Sequence, residues 1–264
     1  MKQNVMVCGM PGKMAQIVAA ACAKRNFNVI PFSLTGEDIK EFNGFALLGI
    51  AERENKIGDI LKEYPNLIAV DYTHPSAVNS NAQFYVKHKI PFVMGTTGGD
   101  RDALMSLVKN ANHPCVIAPN MAKQIVALQA MLEWTAENFP GVFNGYNLRV
   151  VESHQKTKAD TSGTAKALVK NFLKMGSSGG EIEMIRNEES QVNRMAVPKE
   201  HLNGHAFHTY SLDSADNSVH FEFRHNVCGR EVYGEGTADA VEFLAKKIEA
   251  GQQKVFDMIA VLRG

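Results

Sequence analysis

Surplus charge is the first thing this sequence lacks: 28 basic residues meet 28 acidic ones over 264 residues, for a formal net charge of zero. Nucleic-acid binders and proteins adapted to anionic membranes depend on excess Lys and Arg, so the balance argues against both kinds of partner. Cysteine is sparse as well. Cys8, Cys22, Cys115 and Cys228 have no CxxC spacing, which argues against zinc and dithiol frameworks and leaves small core residues of a reducing compartment as the expected role. No apolar run approaches the length of a membrane span. A signal-peptide pattern is missing too, since MKQN leads straight into the strand-like VMVC. A cytoplasmic protein is expected, or one imported and trimmed. Internal repeats and low-complexity tracts are also absent.

What is present is a chain 45% hydrophobic and 21% charged, long enough for two lobes or one large α/β unit. Residues 1–120 alternate short apolar runs with helical patterns. The strand candidates are Asn4–Cys8, Asn28–Phe32, Phe45–Ile50, Leu67–Asp71, Pro91–Met94 and Pro114–Ala118. Such alternation predicts a parallel sheet with helices on both faces and a ligand site beyond the carboxyl ends of the strands. After Pro119 the rhythm changes to a helix over Met121–Asn138, a strand over Asn147–Val151 and a helix from Gly163 to Met175. Glu181–Tyr233 is β-rich, as in GHAFHTYSL and SVHFEFRHNV, and predicts a second lobe with its own sheet and helices on one side. SSGG at 177–180 reads as a loop, and Ala238–Leu262 as helix packing back on the first lobe.

The first strand runs into CGMPGKMAQIVAAAC, with Gly9 and Gly12 at the strand-to-helix turn. Glycine admits positive φ and close approach of backbone N–H groups to a pyrophosphate, and the helix start favours negative charge. Tight βα turns also use glycine for structure alone, but this position in an alternating pattern favours dinucleotide binding. Where an NAD site would place an acid for the ribose, VIPFSLTGED offers Ser33 and Thr35. NADPH is therefore favoured, with Lys13 adding positive charge, while nearby Glu37 keeps NADH open. Two more strand ends, DYTHP with Thr73 and GTTGG at Gly95–Gly99, carry small and hydroxyl residues suited to a flat ring.

The segment ESHQKTKADTSGTA, residues 152–165, is the densest chemical signal. Ser162 and Thr164 stand at a helix start, where capping alone explains them. The same N–H groups and hydroxyls suit a carboxylate or phosphate, reinforced by Lys156 and Lys158. His154 can donate a proton near neutral pH. By itself the segment leaves a solvated capping loop and a catalytic cluster both open. A second group, His201, His205 and His208, would share a helix face, but Gly204 and the alternation of AFHTYSL point to loop and strand, which separates them. With no cysteine or carboxylate to complete a set, hydrogen-bonding histidines are expected rather than a metal site.

Taken in order, GMPGKM, DYTHP, GTTG, APNMA, ESHQKTKADTSGTA and EFRHNVCGREVYGEGTADAVEFL resemble the dihydrodipicolinate reductases of the diaminopimelate route to lysine, in their plant-like branch. The resemblance implies an N-terminal Rossmann-type domain, residues 1–120 completed by helices in 234–264, and a mixed-sheet α+β domain over 121–233 that binds substrate and forms a dimer or tetramer. It implies NAD(P)H-dependent reduction of a small dicarboxylate, with His154 the general acid, Lys158 its companion, and Ser162, Gly163 and Thr164 on a substrate carboxylate. It places Gly9, Gly12, Lys13 and Met14 at the cofactor phosphates, Gly95, Thr96 and Thr97 near the nicotinamide, and Ala118, Pro119, Asn120 and Met121 along the cofactor side of an interdomain junction. The usual bacterial pattern is E-x-H-H-x-x-K-x-D-x-P-S-G-T. Here Gln155 replaces the second histidine, and one residue is missing between Asp160 and Ser162. A gapped match assigns Lys158 and an ungapped one would assign Thr157; the gapped match keeps Glu152, His154, Lys158 and Asp160 in phase. A non-catalytic NADPH sensor and a cysteine-dependent semialdehyde dehydrogenase are the rival readings.

Overall fold

NVMVC contains no polar residue after its first, a pattern that suits a strand covered on both faces. It forms β1 (Asn4–Cys8), with Val5 to Cys8 fully buried. The computed structural model describes residues 2–36 and 38–264, so Glu37 lies outside the described residues. The chain divides into one unit of residues 1–123 with 231–264 and a second of residues 124–230.

In the first unit β1 leads into α1 (Lys13–Lys24), whose Ala15, Val18, Ala19 and Cys22 recur at helical spacing on the buried side. There follow β2 (Asn28–Val29), β3 (Phe32–Leu34), β4 (Glu41–Phe42), β5 (Phe45–Leu48), α2 (Ile50–Glu63), β6 (Ile68–Asp71), α3 (Val78–Lys87), β7 (Phe92–Met94), α4 (Arg101–Asn110) and β8 (Cys115–Ile117). The expected strand Asn28–Phe32 is split in two. Pro31 has no N–H to give a ladder, so β2 pairs with β1 while β3 joins β5 and β4 in a separate small sheet.

The second unit contains the body of α5 (Lys123–Asn138), then β9 (Tyr146–His154), α6 (Gly163–Lys174), β10 (Ser178–Ile185), α7 (Glu188–Asn193), β11 (His205–Ser214) and β12 (His220–Cys228). Its sheet runs β10-β9-β11-β12, with β10 parallel to β9 and the other pairs antiparallel. Leu132 and Ala136 of α5 and Leu168 and Phe172 of α6 cover Leu148, Val150, Tyr210 and Leu212. Strand β9 extends past the expected Val151 because Glu152, Ser153 and His154 pair with His208, Phe207 and Ala206. The first three residues of the charged segment are therefore sheet, not loop. Ser178, Gly179 and Gly180 are likewise strand: both glycines have positive φ, 78° and 90°, and the register slips between Gly179 and Ile182, a bulge that glycine makes possible.

The closing segment returns to the first unit as α8 (Glu231–Glu249), β13 (Val255–Phe256) and α9 (Met258–Arg263). It is not one helix from Ala238: it starts seven residues earlier and is interrupted by the strand that completes the parallel order β13-β8-β7-β6-β1-β2. The glycines of EVYGEGTA weaken the helical signal. They are there for packing, since a Cβ on Gly236 would lie 1.8 Å from the Met121 carbonyl oxygen and one on Gly234 would lie 2.9 Å from Ile17.

Candidate active site

At the carboxyl end of β1, Gly9 has φ +108°, and a Cβ there would lie 2.2 Å from the Tyr72 carbonyl oxygen. The Gly9 N–H donates to the Leu34 carbonyl and the Gly12 N–H to the Gly9 carbonyl, both at 2.8 Å. This tight turn opens into a cavity of about 570 Å³ lined by Gly9, Gly12, Thr35, Gly36, Arg53, Tyr72 and Thr73 among others. No carboxylate is among the described lining residues. The cavity and the bare backbone at its floor suit a dinucleotide phosphate beside the start of α1. Lys13 is exposed at the first helical position and Met14 is half-buried, both outside this lining. Ser33 is wholly buried and its hydroxyl accepts from the Met10 N–H at 3.1 Å, so it fixes the turn rather than meeting a ribose. Gly9→Ala is expected to weaken dinucleotide binding at least tenfold, read by fluorescence titration, because both the φ and the missing Cβ are required.

The neighbouring loops share one anchor. Asp71, fully buried at the end of β6, accepts from the Thr73 N–H and hydroxyl (3.1 and 2.8 Å), the Thr96 hydroxyl (2.6 Å), the Asn81 amide (2.9 Å) and the Tyr85 hydroxyl (2.8 Å). The DYTHP and GTTG loops are thereby fixed to each other. Gly95 packs against the Tyr72 ring, Thr96 is buried in the Asp71 network, and Thr97 is exposed. Ala118 to Met121 follow β8; the Ala118 N–H donates to the Met94 carbonyl at 3.2 Å and the Asn120 side chain accepts from the Ala122 N–H at 2.9 Å. The sequence treated Asp71 only as a strand end.

In the second unit the residues of ESHQKTKADTSGTA converge on Glu152. Its carboxylate has no exposed surface; one oxygen meets the Arg186 guanidinium at 2.5 Å and the other accepts from the Ser162 N–H at 3.0 Å, at the start of α6. That second oxygen lies 4.0 Å from His154 Nε2 and 3.9 Å from His208 Nε2, and the two imidazoles are themselves 2.9 Å apart. Lys158 pairs with Asp160 at 2.6 Å, and its carbonyl accepts from Arg186 Nε at 2.8 Å. Ser162 is buried as the N-cap without a side-chain capping bond, Gly163 is exposed and Thr164 half-buried. Lys156 and Thr157 point to solvent, while Lys158 is the lysine drawn toward the cluster.

The three histidines of EHLNGHAFHTY are separated as expected. His201 lies in a short 3₁₀ turn, while His205 and His208 stand three apart on a strand and so face opposite sides of the sheet. His205 meets the Ser153 hydroxyl at 2.8 Å, and His208 meets His154. One expectation needs correcting, since a carboxylate does join the group. Ligand atoms of Glu152, His154 and His208 lie within 4.8 Å of one another. The carboxylate is already held by Arg186 and Ser162, and the imidazoles by each other, so the set is satisfied from within and we assign it no metal. Arg186 and His225 are further members the sequence reading missed. The alternation of HFEFRHNV puts Phe223 and His225 on one face, a signal that was available.

Burial, followed by the charges of Arg186 and Lys158, lowers the His154 pKa to about 4. Burial lowers His225 to about 4 and His208 to about 2, the latter with help from its histidine neighbours. In the unfolded chain each imidazole titrates near 6.5. The unfolded state thus binds more protons below that value, and the contribution of these neutral imidazoles, complete above about pH 6.5, is lost as pH falls toward about 4. Urea unfolding followed by the fluorescence of Trp134, the one tryptophan, should show the second unit losing on the order of a few kcal/mol between pH 7.5 and 5. Equal stability at the two pH values would contradict the buried, neutral assignment.

The thiols offer no nucleophile at the site. Burial pushes Cys8 and Cys22 up to about 12 and Cys115 higher still, and burial with the charge of Glu200 raises the exposed Cys228, so none is an activated thiolate of the kind a cysteine-dependent dehydrogenase needs. No helix among the described residues is long and apolar enough to cross a membrane.

The family described as "Dihydrodipicolinate reductase, N-terminus" matches residues 3–121, and "Dihydrodipicolinate reductase, C-terminus" matches residues 124–262. In Arabidopsis thaliana, "4-hydroxy-tetrahydrodipicolinate reductase 1, chloroplastic" is 48% identical over 98% of this chain and 78% of its own length. In Oryza sativa subsp. japonica, "Probable 4-hydroxy-tetrahydrodipicolinate reductase 1, chloroplastic" is 47% identical over 98% and 78%. Of solved structures, "Dipicolinate bound Dihydrodipicolinate reductase from Paenisporosarcina sp. TG-14" has the same fold, with a TM-score of 0.69 and 17% identity over 98% of this chain and 99% of that one. Both halves matching in order, and the extent of identity to the plant relatives, show that the chain belongs to the dihydrodipicolinate reductase family.

Proposed function

We propose that this chain reduces 4-hydroxy-tetrahydrodipicolinate, as its dehydrated cyclic dicarboxylate, to tetrahydrodipicolinate in the route to diaminopimelate and lysine, using NADPH. When bound, the nicotinamide supplies the hydride. The cavity at Gly9 and Gly12 would hold its phosphates, with Thr73 at the rim and the loops at Gly95–Thr97 and Ala118–Met121 shaping the neighbouring strand ends. The absence of a carboxylate among the described lining residues, and the presence of Arg53, favour NADPH over NADH.

The observation that carries the reading is the start of α6: it already receives a carboxylate, that of Glu152, beside the Nε2 of His154. A helix start that accepts one carboxylate through the Ser162 N–H is built for anions, and Ser162, Gly163 and Thr164 would present it to the substrate. Lys158 would exchange its exposed partner Asp160 for a substrate carboxylate. His154 supplies the balancing proton. Two substrate carboxylates favour its charged form, so the lowered pKa of the free protein rises in the complex. kcat should therefore hold to a higher pH than kcat/KM before it falls, since the two profiles report the bound and free protein.

Exposed Met131, Trp134, Phe139 and Val142 support self-association as a dimer or tetramer. The direct assay follows loss of NADPH absorbance with the substrate formed in situ from pyruvate and aspartate semialdehyde. Oxidation that depends on both precursors supports the reading; NADPH binding without oxidation would favour a sensor.

A further inference from the structure

We propose that His208 and His225 are positioning residues of the reduction: with His154 they form a file of three imidazoles across β9, β11 and β12 that loads His154 with the proton it gives to the substrate ring. The proposal rests on the reading of His154 as the acid.

The sheet register builds the file. Glu152 pairs across the ladder with His208, and His208 with His225, so the three side chains share one face. His154, two residues beyond Glu152, lies on that face as well. His154 Nε2 meets His208 Nε2 at 2.9 Å, and His208 Nδ1 meets His225 Nε2 at 3.1 Å. His208 thus uses both of its nitrogens on other histidines. A bond between two imidazole nitrogens needs one N–H and one lone pair, so protons along this file can be ordered in only two directions. In the direction that ends at His154, His225 donates from Nε2 to His208 Nδ1, and His208 donates from Nε2 to His154 Nε2. Nδ1 of His225 is then an acceptor at the far end, and among the described residues it is buried with no hydrogen-bond partner.

An unpaired buried ring nitrogen is uncommon in native cores and calls for a reason. Packing alone does not supply one. The neighbouring positions on this face include Phe223 and Leu212, with Phe172 of α6 packed over them, and Tyr210 stacks on His225 at 6.0 Å, so an apolar ring would fill the same space without leaving a polar atom unsatisfied.

The groups facing the file come from every packed element. Glu152 lies on β9, the Tyr210 hydroxyl is 3.4 Å from His208 Nδ1 on β11, Arg186 follows β10, and Lys158 lies in the loop before α6. His205 and Ser153 occupy the opposite face. Arg186 offsets the charge of Glu152, and burial holds all three rings neutral, so each keeps one N–H to pass and one lone pair to receive.

The step balances without a co-reactant. A water admitted past the half-exposed ring of His225 on β12, the edge strand of its sheet, gives a proton to Nδ1; the His225 Nε2 proton moves to His208 Nδ1, and the His208 Nε2 proton moves to His154 Nε2. His154 in turn gives a proton to the ring carbon that holds the electron pair left by reduction. One proton enters from solvent and one leaves on the product.

The test uses the full-length protein with His208→Asn, His225→Phe, His225→Gln and His154→Gln, measuring NADPH affinity, kcat against pH and the solvent deuterium effect on kcat. His208→Asn and His225→Phe are expected to lower kcat on the order of tenfold to a hundredfold, with KM changed much less and kcat falling more steeply as pH rises. His225→Gln preserves a hydrogen bond to His208 but cannot pass a proton through its ring. It is expected to stay slow, and it carries the test if His225→Phe fails to bind NADPH. Wild-type kcat, pH profile and deuterium effect in His225→Gln would overturn the relay, because a purely structural bond would be rescued by glutamine. Wild-type kinetics in both His208→Asn and His225→Phe, with His154→Gln still crippled, would overturn the proposal and leave the acid assignment standing. Undiminished turnover in His154→Gln would remove the reading beneath it.

Discussion

Replacing His154 by Gln should lower kcat by about two to four orders of magnitude while leaving affinity for the nicotinamide cofactor within about twofold. The size follows from the acid role proposed for the side chain. Reduction leaves an electron pair on the ring, and without a positioned donor the proton must come from water. The selectivity follows from where it lies. His154 ends β9 in the second unit, whereas the dinucleotide cavity belongs entirely to the first, so the substitution leaves every residue of that cavity in place. Gln approximates the imidazole's volume and keeps a hydrogen-bonding group for His208, so the loss is not one of folding. Equal falls in kcat and in NADPH affinity would point to a structural role instead.

The largest stability effect is expected at Glu152. It has no exposed surface, and it holds together a guanidinium, the N–H of the Ser162 cap of α6 and the edge of the histidine pair. Glu152→Ala leaves Arg186, whose side chain is only 18% exposed, without its counter-charge. Stranding one member of a buried pair costs on the order of 3–5 kcal/mol. Glu152→Gln, which still offers an oxygen to the Ser162 N–H, should cost less. Urea unfolding followed by Trp134 fluorescence separates the two variants. If both lie within about 0.5 kcal/mol of the parent, Glu152 does not organise the site.

These two residues also show how far the sequence could be read. The parallel sheet was legible because VMVC and PFVM are apolar throughout, a pattern strands buried on both faces require. The Gly9 turn was legible because Gly9 and Gly12 follow the first strand of an alternating α/β pattern, whereas a glycine turn alone would have been a weak signal. The second sheet was legible in kind but not in extent, since nothing local says that Glu152, Ser153 and His154 are strand. Only their pairing with Ala206 to His208 does. For the same reason the site was half-seen. His154, Lys158 and Ser162 stand close in sequence and were found together, whereas Arg186, His208 and His225 reach the cluster only through the register of three other strands. Gln155 removes the second histidine of the usual bacterial pattern, but a second imidazole is still within hydrogen-bond reach of His154, supplied from β11. The misread helix at Glu231 has a local cause. Gly234 and Gly236 lower helical propensity, and the close approach of Ile17 and Met121 that requires them is a tertiary fact.

The central claim, hydride transfer to a cyclic dicarboxylate, is tested most directly by label. NADPH deuterated at the transferring position is incubated with the protein and with substrate formed in situ, and the product is weighed by mass spectrometry. One deuterium per molecule of tetrahydrodipicolinate, appearing in step with NADPH oxidation, is the predicted result. NADPH that is bound but not oxidised, or oxidised without deuterium reaching the ring, would contradict it.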